Sequence, residues 1–138
     1  MVTAQERKVG IISCSGEGCV EGTISRVATR LVLGKLRPNE TVTICLPLFL
    51  AGGKEEREFA RDYPTITVDG CDKACAKIAT GRYSGNPASS IVVTDLTKNW
   101  LCPQLSSRRK LNDETLTVAG KVAERIAEEV DVVLRRWV

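Results

Sequence analysis

Apolar residues recur along this chain in two rhythms. Four short runs, at residues 8–14, 41–45, 65–68 and 91–95, are almost continuously apolar or β-branched and end at turn residues. That pattern predicts buried strands. Between and after them the spacing changes to that of a helix. Val20, Ile24, Val27, Leu31 and Leu33 form one stripe that stops near Gly34. Residues 54–62 predict a short, mostly polar helix ended by Pro64. A helix starting straight after the third run places Cys71 and Cys75 one turn apart on one face. Asn112 or Asp113 caps a long C-terminal helix at about 112–137, with the stripe Leu116, Ala119, Val122, Ile126, Val130, Val133, Leu134 and Trp137. The remainder reads as connection: a Gly-rich turn at 15–19, a turn at 38–40, an apolar loop at 46–53, a loop at 81–90 and an irregular stretch at 96–111.

Strands alternating with helices predict an α/β fold, a three-layer αβα sandwich with a four-stranded, mainly parallel sheet of flavodoxin or Rossmann type. Residues 1–138 read as one such domain. Right-handed crossovers point all strands the same way. Cys14 then closes the first strand, Cys45 closes the second, and Cys71 follows the third. All three are expected at the carboxyl edge of the sheet, where open α/β folds bind ligands, with Cys75 one turn into the adjoining helix.

Composition narrows the chemistry. The formal charge is +3, too small for a nucleic-acid footprint. The basic clusters Arg108-Arg109-Lys110 and Arg135-Arg136 read as solvated ends and as a match to a helix C-terminus. The start lacks a secretory apolar region, and the longest apolar stretch, 44–51, contains Pro47 and falls short of the roughly 18 residues of a membrane helix. The expectation is a cytoplasmic protein with no membrane partner. In a reducing compartment six cysteines point to metal or thiol chemistry ahead of a disulfide framework. The chain contains no histidine, which excludes a Cys-His nucleophile pair and any imidazole ligand.

The four cysteines expected at the edge suit a tetrahedral thiolate site for Zn²⁺, with Zn–S near ~2.3 Å. Its excess negative charge would be stabilised by the helix N-termini after Cys14 and Cys71, with help from Lys73. Packing is the competing explanation, most seriously for Cys45 between Ile44 and Leu46. Cys19 lies in the first loop, where it can substitute as ligand or pair with Cys14. Cys102 reads as structural, and Trp100 and Trp137 as packing groups. Asp72 reads as a first-turn helix acid and Asp69 as a turn residue. Gly16, Gly18, Gly52 and Gly53 read equally well as turn residues and as backbone left open to a ligand. Thiol redox or sulfur-transfer chemistry with Cys14 or Cys71 as nucleophile, and a Cys-ligated iron–sulfur cluster, also need no histidine. The loop from Cys14 to Cys19 looks like the phosphate loop of low-molecular-weight tyrosine phosphatases, but Val20 stands where that loop needs an oxyanion-clamping Arg.

The combination Cys14-Ser15-Gly16, Cys45-Leu46 and Asp69-Gly70-Cys71 with Cys75 resembles the DGC-domain family across roughly residues 8–95. Members are small prokaryotic proteins described as zinc-binding. The resemblance implies a metal ion as partner and ligation by Cys14, Cys45, Cys71 and Cys75. Cys19 is a departure from the familiar pattern. The sequence specifies neither a substrate nor an oligomeric state, and a homo-oligomer is compatible with it.

Overall fold

The structure, a computed structural model, describes residues 7–102, 105 and 110–136. The sequence features at Pro103, Arg108, Arg109 and Trp137 lie outside the described residues. Four strands, β1 (Val9–Ser13), β2 (Thr41–Val42), β3 (Thr65–Asp69) and β4 (Ser89–Val92), form one sheet in the order β2-β1-β3-β4 with every pairing parallel. The helices are α1 (Val20–Leu31), α2 (Leu46–Leu50), α3 (Lys54–Asp62), α4 (Cys75–Tyr83), α5 (Val93–Asn99) and α6 (Asp113–Arg136). This is the expected α/β sandwich. Among the described residues no helix is long and apolar enough to cross a membrane.

Strand alternation sorts the two sheet faces. Val9, Ile11, Ile66, Val68 and Ile91 join one core cluster with α1 and α6, through Ile24, Ala28, Val122, Ile126 and Val130. The opposite face carries Gly10, Ile12, Thr65, Thr67 and Asp69, the alternate positions of the same two strands. Its core is Ile12, Phe59 and Ala76, with half-buried Cys14, Ile44 and Leu46 against them. Thr67 Oγ1 and Ser90 Oγ are 2.9 Å apart, so hydroxyls satisfy each other where that face lacks apolar cover.

Four boundaries differ from the sequence expectation. β2 stops at Val42 because the Thr43 hydroxyl donates to the Ile11 carbonyl at 2.7 Å, occupying an acceptor at the point where the strand pairing ends. Residues 46–50 are helix α2, with Pro47 in its first turn. The fourth apolar run divides: Val92 ends β4 and Val93 begins α5, so part of the supposed irregular stretch is helical. α1 runs past Gly34 as a wider π-helical turn, Val32–Leu36, closed by the Arg37 N–H donating to the Val32 carbonyl at 2.8 Å. Arg37 then forks onto Asp131 of α6, at 2.8 and 2.7 Å.

The long helix starts as expected. Asn112 Oδ1 accepts from the Thr115 N–H and the Thr115 hydroxyl, each at 2.9 Å. Its buried stripe is Val118, Ala119, Val122, Ala123, Ile126, Ala127, Val130 and Val133, while Leu116 is exposed.

Candidate metal centre

β1 connects to β2 on one side of itself, and β3 is its neighbour on the other. The carboxyl ends of β1 and β3 therefore flank a topological switch point, the position where parallel sheets open a crevice. Cys14 lies one residue past β1, and its N–H donates to the Val68 carbonyl at 2.9 Å, extending the sheet. From β3, the Gly70 N–H donates to Cys14 Sγ at 3.3 Å. Cys14 Sγ also lies 3.6 Å from Ser25 Oγ. The Ser25 hydroxyl spends its hydrogen on the Gly22 carbonyl at 2.6 Å, so in this contact a protonated Cys14 is the donor. Ser25, fully buried on α1, thus positions the first thiol. Only a serine within an apolar stripe marked it in the sequence.

Two glycines make this closeness achievable. A Cβ on Gly70 would lie 2.7 Å from Gly22 Cα, and a Cβ on Gly22 would collide with the Gly16 carbonyl oxygen. The Asp-Gly-Cys turn, the first turn of α1 and the Cys14 loop meet backbone to backbone. Gly16 and Gly18 have open space around them.

The turn after β3 differs from the expected helix. α4 begins at Cys75, and Cys71 sits in the preceding turn, so the two are not helical neighbours. The capping carboxylate is Asp69 in place of Asp72: Asp69 is 2 % exposed and accepts from the N–H groups of Ala76 at 2.7 Å and Lys77 at 3.1 Å. Burial raises the Asp69 carboxyl pKa above its ordinary value, against the lowering effect of these two bonds and the Lys77 charge. Ala74 takes a left-handed conformation, φ 53°, directly before the helix.

The cysteines divide by position. Cys14 and Cys71 both lie near enough to Cys19 to act on its thiol. Burial pushes the Cys19 thiol pKa up, the Gly22 N–H opposes this, and Glu21, Cys71 and Cys14 push in the same upward direction as burial. Cys14 and Cys75 line one cavity of about 170 Å³. Cys45 is exposed, precedes α2, and lines a separate groove with Glu55, Glu56, Glu58 and Asp62 of α3. It follows β2 by three residues and does not close it. Cys19 and Cys45 occupy helix N-cap positions and Cys75 a first helical position. Cys102 packs half-buried against the main core, as does Trp100. Thiolate donors suit Zn²⁺ chemically, but among the described residues no three Cys, Asp or Glu side chains gather closely enough to hold an ion.

Sequence reasoning passed over Thr29, Arg26 and Arg30 of α1. They line a larger cavity, about 400 Å³, that also borders Cys14. On a helix wheel the arginines read as part of a solvated face.

No curated protein and no solved structure matches the chain. The sequence model of the DGC domain matches residues 10–101. That span includes both crossovers that meet at Cys14, the Asp69-Gly70-Cys71 turn and Cys75, and it covers about two thirds of the 138 residues; the chain belongs to the DGC-domain family.

Proposed function

We propose that this protein binds Zn²⁺ through cysteine thiolates at the carboxyl edge of its parallel sheet, in a structural or zinc-handling role. The observation that carries the reading is the Gly70 N–H donated to Cys14 Sγ, which sets the Asp69-Gly70-Cys71 turn against Cys14 at the switch point. Cys75, which shares a cavity wall with Cys14, is the third ligand. Cys45 is the first choice for the fourth, with Cys19 as substitute. Cys45 and Cys75 are exposed at the starts of short helices on the thinly packed face, where rearrangement toward a metal costs little buried area. Six free thiols suit a reducing, cytoplasmic setting.

Elemental analysis of protein purified without added metal tests this. The expected result is about one zinc per chain, falling in Cys75→Ser. Iron with brown colour replaces zinc by a cluster. Absence of metal together with a fast-reacting thiol near neutral pH overturns the reading in favour of redox or sulfur-transfer chemistry at Cys14 or Cys71. Unchanged zinc in Cys45→Ser, with loss in Cys19→Ser, assigns the fourth position to Cys19.

A further inference from the structure

Two buried side-chain oxygens among the described residues have no hydrogen-bond partner, Thr29 Oγ1 and Thr80 Oγ1. A buried hydroxyl left unpaired is costly, so each such atom needs an explanation. Both belong to the same place. Thr29 lines the cavity of about 400 Å³, Thr80 lines the cavity of about 170 Å³, and the two cavities share Ile12, Cys14 and Leu46 as a common wall.

The larger cavity has the features of a ligand site. Arg26 and Arg30 stand one turn apart on α1 at its border, and neither enters an ion pair among the described residues. Ser13 and Ser15 add hydroxyls at the end of β1, while Leu33 and Pro47 supply apolar wall. Two unpaired guanidinium groups present forked donors suited to a carboxylate or phosphate. Thr29, 3 % exposed, forms part of the wall, with its unpaired hydroxyl oxygen closed off from the open space of the cavity. Volume also matters: about 400 Å³ exceeds what a bare inorganic ion fills and falls in the range of small-molecule sites.

We propose that the cavity bounded by Arg26, Thr29, Arg30 and Cys14 binds a small organic oxyanion, with its charged group held by the two arginines and its apolar body against Leu33 and Pro47. This goes beyond metal binding and requires no metal. It also supplies, from the second half of α1, the cations that are missing from the loop after Cys14.

Calorimetric titration of the 138-residue protein with phenyl phosphate, benzoate and inorganic phosphate tests the proposal. The first two share an apolar ring and differ in the charged group, so they separate a phosphate ester from a carboxylate as the source. At least one is expected to saturate at one per chain, more tightly than inorganic phosphate. Arg26→Ala/Arg30→Ala is expected to weaken it tenfold or more. Arg82→Ala, an exposed arginine elsewhere, is expected to leave it unchanged. Failure of both ring compounds to saturate up to about 10 mM, a range that captures even weak small-molecule binding, overturns the site. Equal affinity in wild type and the double arginine variant overturns it as well.

Discussion

The two faces of the sheet are built to different standards. Among the described residues, one buries seventeen in a single cluster between the strands, α1 and α6. The other has a cluster of only three among the described residues, with Phe49 buried beside it, and fills the remaining strand positions with glycine, threonines and a capping aspartate. The well-packed face sets where β1 and β3 end, and so where Cys14 and Gly70 meet. The thin face carries Cys45 and Cys75, both exposed. A metal or ligand site at this edge thus has one half fixed by a core and another half free to adjust, since local stability follows buried apolar contact.

Truncation should expose this contrast most strongly. Ile126→Ala, in the thick core, is expected to cost about 3 kcal/mol of unfolding free energy, and Ile44→Ala on the thin face about 1 kcal/mol. Equal costs in urea titrations would break the comparison. Next in size is Gly70→Ala, expected to cost about 2 kcal/mol because the added Cβ meets the α1 backbone, which cannot swing aside as a side chain can. A melting curve matching wild type would show that the junction between the faces is loose.

Acid sharpens the comparison further. On the thick side, burial raises the Glu129 carboxyl pKa, but bonds from Ser89 at 2.8 Å and Arg125 at 3.0 Å, with the Arg125 and Arg136 charges, hold it below its ordinary value. A depressed carboxyl contributes stability above its unfolded pKa and loses it as pH falls through the folded one. Asp69 on the thin side is raised, so its contribution is complete below its unfolded pKa and lost as pH rises through the folded one. As pH falls from 5 toward 2 the Glu129 contribution is lost while that of Asp69 grows, so Glu129→Gln should make the change of melting temperature over that range less negative than in wild type. An unchanged acid limb in Glu129→Gln would remove Glu129 from this account.

The smallest expected effect is at Ala74, whose left-handed backbone suits glycine. Ala74→Gly should stabilise by roughly 0.5 kcal/mol after the extra flexibility of the unfolded chain is subtracted. A lower melting temperature would mean that the turn carrying Cys71 is not strained by this residue.

Much of the architecture was readable from local pattern. Strand runs, the α1 stripe and the Asn112 cap depend on neighbours three or four positions away, and they specified a parallel sheet with Cys14 and Cys71 at its carboxyl edge. The same local reading failed where a distant group intervened. Thr43 ends β2 by bonding to β1, Asp69 rather than Asp72 caps α4, and the α4 start at Cys75 separates two cysteines whose spacing looked helical. Arg26, Thr29 and Arg30 were ordinary helix residues until the end of β1 and the segment from Thr43 to Pro47 closed a cavity around them. The sequence alone determined the parallel strands, α1 and the start of α6, and placed Cys14 directly after the first strand, because short-range periodicity encodes burial. Only the tertiary structure decided which face is thick, why Gly22 and Gly70 must lack a Cβ and which hydroxyls lack partners, because those depend on contacts between segments far apart in the chain.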